Sequence, residues 1–173
     1  DYARRRWAIL EPEVMLKSFR FIIGVPLMVA LLLNAPIVSA QGQAGKPKAV
    51  FACAIGNKSL SITSVGSTLI YRFGTSEKVE MSIVASPQSR TAYWMTQRYA
   101  GMEYQLRFKN GDYSYIAYSM EGNNRTGIRP VSGLVVMQGQ KRLADRPCTK
   151  YAEFSTFYDY DSLPEDSEMY SAM

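Results

Sequence analysis

Asn110-Gly111, set between Leu106-Arg-Phe-Lys109 and Asp112-Tyr-Ser-Tyr-Ile-Ala-Tyr-Ser119, constrains this chain more than any other feature. Both residues tolerate positive φ, which a type I′ turn requires at its two central positions, and period-two alternation on either side supplies the strands of a hairpin. Counted outward from that turn, Lys109 faces Asp112, Phe108 faces Tyr113, Leu106 faces Tyr115 and Tyr104 faces Ala117, giving one aromatic and aliphatic face. The other face sets Arg107 with Ser114, Gln105 with Ile116 and Glu103 with Tyr118, the half-wet surface of an antiparallel sheet buried on one side.

Strands with the same alternation are expected on both sides of the hairpin. Ala49 to Ile55, Lys58 to Val65, Thr68 to Phe73 and Val79 to Val84 follow one another closely, with Gly56-Asn57 and Gly66-Ser67 as turns. Thr91 to Tyr99 carries Tyr93, Trp94, Met95 and Tyr99, and Gly133 to Met137 and Arg142 to Cys148 are joined through Gly139. No internal repeat or amphipathic helix precedes Cys148. The predicted fold is therefore all-β: a small antiparallel barrel of about eight strands, or a β-sandwich, with one disulfide. Closure is favoured because an open sheet leaves edges to protect.

Upstream of this domain the chain reads as an export signal. Met15, Lys17 and Arg20 precede an apolar run from Phe21 to Leu33, and Val38-Ser39-Ala40 stands ahead of Gln41. That is the charged, hydrophobic and small-residue order of a secretory leader, with cleavage expected after Ala40. The run contains Pro26 and is shorter than the ~20 apolar residues of a membrane span, so no stable membrane insertion is expected after cleavage. Residues 1–14 read as an upstream extension, 15–40 as signal peptide, 41–48 as a flexible arm, 49–150 as the β domain and 151–173 as an acidic, aromatic tail. The expected location is periplasmic or secreted.

Export gives the two cysteines an oxidising setting. Cys53 and Cys148 lie near the two ends of the patterned region, and a bridge between them would close a loop of 95 residue steps. In the chain-entropy model that is worth about 4 to 5 kcal/mol. Histidine is absent, which removes Ser-His-Asp and Cys-His nucleophiles and the usual zinc sites. Asp159-Tyr-Asp161 begins like a calcium loop, but Leu163, Pro164 and Tyr170 occupy positions that need a ligand, a glycine and a bidentate carboxylate. Nothing singles out a catalytic pair among Glu77, Glu80, Glu103, Asp112, Glu121 and Asp145. No metal, cofactor or enzymatic activity is expected.

Charge and tyrosine point instead to binding. Gln41 to Ala152 holds 15 basic and 6 acidic residues, a net +9, whereas Glu153 to Met173 holds 6 acidic residues and no Lys or Arg. The tail either stays solvated or docks Phe154, Phe157 and Tyr158, at helical spacing, as a short turn on the barrel. The positive body suits another envelope or extracellular protein, or an anionic glycan or lipid. Export argues against nucleic acid. Met120 to Pro130 is the longest irregular stretch in the domain, and its Arg125 and Arg129 could recognise carboxylate or phosphate. Tyr118, on the wet face, is expected to join Trp94 in a recognition patch.

Phe51-Ala-Cys53, Leu60-Ser-Ile62, Leu69-Ile-Tyr71 and the closing Cys148 resemble, in layout, the small periplasmic inhibitors of c-type lysozyme. That resemblance implies an antiparallel barrel with a disulfide from first strand to carboxy-terminal end, and an inhibitor of a lysozyme-like hydrolase. The family inserts a Ser-Gly-x-x-Tyr loop into the enzyme; Ser132-Gly133 is followed here by Leu134-Val135-Val136, without the tyrosine, so no inhibitory residue carries over. Tyr71 to Gly74 and Leu106 to Phe108 also look like segments of uncharacterised small exported bacterial proteins. The alternative expectation is a carrier or sensor barrel holding a small apolar or anionic ligand in its interior.

Overall fold

The computed structural model describes residues 45–98 and 101–168. The extension at 1–14, the leader at 15–40 with its cleavage site, residues 41–44 of the arm, Tyr99 and the last five residues of the tail lie outside the described residues. Nine strands run in chain order: β1 Lys48–Ile55, β2 Lys58–Val65, β3 Thr68–Gly74, β4 Val79–Ala85, β5 Ala92–Arg98, β6 Met102–Asn110, β7 Tyr113–Met120, β8 Val131–Gln138 and β9 Lys141–Pro147. Among the described residues no helix is long and apolar enough to cross a membrane.

The strands form two antiparallel sheets, β1-β2-β3-β4 and β5-β6-β7-β8-β9, each in simple sequence order. Four of the connections are two-residue turns that begin with a glycine at positive φ: Gly56, Gly66, Gly111 and Gly139. Their second residues are not at positive φ, the arrangement of a type II′ turn, whose hand matches the twist of the strands it joins. In the central hairpin the turn is therefore Gly111-Asp112, one residue later than expected, and Asn110 pairs with Tyr113. Leu106 then faces Ala117 and Phe108 faces Tyr115. A shift of two in the pairing leaves every side chain on its expected face.

One core lies between the sheets. Phe51, Leu60, Ile62, Leu69 and Tyr71 from the first meet Leu106, Phe108, Ala117 and Leu134 from the second. Tyr71 tilts against Phe108 and Tyr115 at ring separations of 5.3 and 5.8 Å. Val50 is an extra residue at a bulge in β1, so it and Phe51 are both buried although adjacent in sequence.

The expected closed barrel is not what forms among the described residues: no ladder joins β4 to β5 or β9 to β1, and the arrangement is the sandwich. The chain after β9 occupies the place where closure would be. Cys148 is bonded to Cys53, with their Cα atoms 5.5 Å apart. The Thr149 and Ser155 amides then donate to the carbonyls of Ala54 and Val50, at 2.8 Å each, covering the edge of β1. Further on, the Trp94 amide donates to Pro164 O and the Asp166 amide to Trp94 O, so the chain makes a parallel bridge on the edge of β5. Two edges that would invite pairing with another molecule are thus occupied by the protein's own tail.

Residues 151–168 are therefore packed, but not as a helix. The segment is irregular with one short 3₁₀ turn, Tyr160–Ser162, and the helical spacing of Phe154, Phe157 and Tyr158 does not place them on one face. Phe154 lies 4.6 Å from the Phe51 ring, and Tyr158 is buried with its hydroxyl donating to Ser67 O. Phe157 is exposed, beneath the ammonium of Lys48.

The supposedly wet face of the hairpin is the other correction. Glu103, Gln105 and Arg107 are all buried. Arg107 is held by the tail: its Nε donates to Asp166 Oδ2 at 2.6 Å, its guanidinium reaches the Glu168 carbonyl, and Nη1 lies 3.4 Å from Glu168 Oε2. Glu168 also pairs with Lys109. Two of the tail's carboxylates are thus matched to two cations of the basic body.

Candidate functional site

A cleft of about 380 Å³ opens where the tail crosses the inner face of the second sheet. The sheet contributes Trp94 from β5, Tyr104 from β6 and Ser119 from β7, with Glu121 just beyond β7. The tail contributes Tyr151, Glu153, Phe154, Ser155, Thr156 and Tyr160. The strand residues converge because of register: Trp94 opposes Leu106, and Tyr104 opposes Thr96 on one side and Ser119 on the other, so all share the core-facing side. The tail is located by the Ala152 amide, which donates to Ser132 Oγ at 2.9 Å, and by Ser119 Oγ, which donates to Tyr151 Oη at 3.2 Å.

Trp94 organises the rings. Tyr160 stacks on it at 4.1 Å, Tyr104 lies 6.0 Å away and nearly parallel, and Phe154 meets it edge-on at 5.2 Å. Offset-stacked and edge-to-face arrangements are the favourable ones for aromatic pairs, and the Tyr104 and Phe154 separations fall in their usual range. The result is a wall of rings set by contacts among themselves.

Two carboxylates complete the cleft. Glu121 accepts from the Tyr104 hydroxyl at 3.3 Å, and no Lys or Arg lines the cleft among the described residues. Neither Glu121 nor Glu153 forms an ion pair among those residues. Burial and the charges of Glu121 and Glu153 push the Tyr104 phenol above its usual value. The Tyr151 phenol is also raised, chiefly by burial and further by both carboxylates, against a lowering bond from Ser119. Burial likewise raises Tyr160. These phenols stay protonated at physiological pH, so the cleft presents hydroxyl donors, ring faces and two negative charges. Among the described residues no cluster of acidic or sulfur side chains could hold a metal ion.

The residues singled out from the sequence are dispersed. Trp94 is in the cleft, whereas Tyr118 lies on the opposite face of the sheet, paired with Gln105 in register and buried, its hydroxyl 3.3 Å from Asp145 Oδ1. The two cannot form one patch. Arg125 and Arg129 are exposed on a small hairpin closed by the pairing of Asn123 with Ile128 and by Asn123 Oδ1 accepting from the Arg125 amide. They do not line the cleft. Ser132 and Gly133 lie within β8, not on a loop, and both are buried; Ser132 faces the tail and Gly133 lies beneath the Tyr118 ring.

Tyr104 was visible in the sequence as one of the clustered tyrosines and Glu121 as an isolated carboxylate, but nothing connected them. Phe154 was expected only as one of three tail rings that would dock if the tail did not stay solvated, and Tyr151, Glu153 and Tyr160 were not singled out. The available signal was Tyr151-Ala-Glu-Phe154, a dense aromatic group directly after a cysteine expected to be tied to the first strand. No protein-family model, curated protein or solved structure matches this chain.

Proposed function

We propose that this is an exported, non-catalytic binding protein of the bacterial cell envelope, and that its binding site is the aromatic cleft around Trp94. The observation that carries the reading is the convergence of five rings, from Trp94, Tyr104, Tyr151, Phe154 and Tyr160, on an open cleft beside a filled sandwich core. A cleft of this size with a few placed polar groups is typical of small-ligand recognition. This is the carrier or sensor reading, with its site moved from the interior to the side of the sandwich. The disulfide fits an oxidising compartment. The absence of histidine and the exposure of both cleft carboxylates support a non-catalytic role, because a proton-donating carboxyl of a glycosidase is desolvated.

The test is a thermal-shift screen of small polar and aromatic-stacking solutes against the protein and its Trp94→Ala variant. Ligands that stabilise the first and not the second support the reading; stabilisation retained in the variant would move the site elsewhere.

A second reading, an inhibitor of a lysozyme-like hydrolase, is favoured by one observation: Arg125 and Arg129 project from the 121–130 hairpin with exposed guanidiniums. It predicts one-to-one inhibition of a muramidase in a cell-lysis assay, weakening with salt and with Arg125→Ala/Arg129→Ala.

A further inference from the structure

We propose that the cleft binds the ammonium head of an organic cation carried on an apolar stem. This rests on the cleft being the binding site and adds the chemical class of the ligand.

Ring faces and carboxylates have one preference in common. The π-face of an aromatic ring carries the negative end of its quadrupole, strongest for Trp and then Tyr, so a ring-lined cleft attracts a cation and still solvates its methyl or methylene groups. Trp94, Tyr104 and Tyr160 supply such rings in near-parallel pairs with Trp94. Glu121 and Glu153 stand in the same cleft without a cationic partner among the described residues. The charges that act on the Tyr104 and Tyr151 phenols are these two carboxylates. The local field is therefore negative although the body as a whole is positive.

What sets Glu121 and Glu153 apart is their place among the rings of one cleft that no Lys or Arg lines among the described residues. Two tail carboxylates are neutralised where they pack, Asp166 and Glu168 against Arg107 and Lys109. Glu121 and Glu153 are left facing open space beside rings. No Lys or Arg lines the cleft among the described residues, and exposed charges more than about 10 Å away are largely screened at moderate ionic strength. A neutral sugar could stack on the same rings and donate hydroxyls to the carboxylates, but it would leave the two negative charges unbalanced. An anionic ligand would be repelled by them.

The test uses protein expressed from the full sequence and purified with its disulfide intact, titrated with choline while Trp fluorescence is followed, with calorimetry in parallel. The comparison ligand is the uncharged tert-butyl analogue in which carbon replaces the nitrogen, equal in shape but without charge. Choline is expected to bind at least about tenfold more tightly than its analogue, and Glu121→Gln/Glu153→Gln to remove most of that preference. Both glutamates are exposed, so the double variant should keep its melting temperature. Equal binding of choline and analogue overturns the proposal while leaving the cleft as an apolar site. Binding of neither overturns it too, and the thermal-shift screen with Trp94→Ala then decides separately whether the cleft binds anything. Two further outcomes identify the source: co-sedimentation with phosphatidylcholine vesicles, abolished by free choline, supports the proposal with a lipid headgroup. Binding of free choline without co-sedimentation supports it with a soluble cation.

Discussion

The side chains of Arg107 and Asp166 are each 2 % exposed and joined at 2.6 Å across 59 residues of chain. Replacing Asp166 with Ala leaves a guanidinium in the interior with its main counter-charge gone. Breaking one side of a buried pair in this way costs about 3 to 5 kcal/mol. The lower end is expected here, about 3 kcal/mol, because Arg107 keeps its bond to the Glu168 carbonyl and its longer contact with the Glu168 carboxylate. Arg107→Met, which strands Asp166 instead, should cost a similar amount. The double variant Arg107→Met/Asp166→Leu removes both charges together and should recover to within ~1 kcal/mol of the parent, since an apolar pair of similar volume often replaces a buried ion pair without loss. Urea denaturation of the four proteins, with equal slopes required for comparison, gives the coupling directly. A cost below about 1 kcal/mol for Asp166→Ala would refute the reasoning, because that is the value of an exposed pair and would mean that the end of the tail is not seated on the sheet.

Reducing the Cys53–Cys148 bridge, or replacing both cysteines with Ser, frees a loop of 95 residues and should lower stability by about 4.7 kcal/mol, measured by the same denaturation. Tyr71 Oη is buried with no hydrogen-bond partner among the described residues, and burial holds its pKa far above the ordinary phenol. Tyr71→Phe should therefore raise stability by about 1 kcal/mol, and a loss of that size would show that the hydroxyl is satisfied in solution. A Cβ on Gly133 would stand 2.7 Å from the Tyr118 hydroxyl and 2.6 Å from the Arg146 carbonyl, so Gly133→Ala should cost about 1 to 3 kcal/mol in thermal unfolding without altering ligand binding at Trp94. The hydrogen bond from Lys109, with the charges of Arg107 and Lys109, lowers the Glu168 pKa against the opposing effect of partial burial. A carboxylate lowered in the folded state stabilises above its unfolded value and loses that contribution as pH falls through its folded value. The stability gap between the parent and Glu168→Gln should thus be full near neutrality and close on acidification below the ordinary Glu range, a small effect because the side chain is half exposed.

Much of the fold was legible because its determinants are local. Alternating side chains placed the strands to within a residue or two, and glycines at the turns placed four hairpins. Even the misplaced turn at Asn110-Gly111 is informative: Gly56-Asn57 and Gly66-Ser67 already showed glycine leading the turn, and the same rule applied at Gly111-Asp112 gives the observed register. What pattern could not supply was any pairing between distant segments. Alternation marks Arg107 as pointing away from the core, and its partner Asp166 arrives only 59 residues later. The sandwich itself is of this kind, since the choice against a barrel depends on the segment after Cys148 occupying the edge of β1. The cleft escaped for the same reason: part of its wall comes from β5 to β7 and Glu121, the larger part from residues 151–160, and charge content favours solvation when a tail is considered alone.

The tail's anchors explain why a site formed from an irregular segment can still be ordered. Cys148 is bonded to β1 at one end of the strap, and Asp166 is bonded to Arg107 at the other. Between them the Ser155 amide, the Ala152 amide and the Tyr158 hydroxyl each reach a different strand or turn. A segment of this length held only at one end would lose about 1 to 2 kcal/mol of conformational entropy per residue whenever a ligand ordered it, more than a few ring contacts return. Held at both ends and in the middle, Tyr151, Glu153, Phe154 and Tyr160 are ordered during folding, before any ligand arrives. The stability of the bridge and of the buried ion pair should therefore set the affinity of the cleft: loosening either anchor weakens binding at Trp94 although neither touches the ligand.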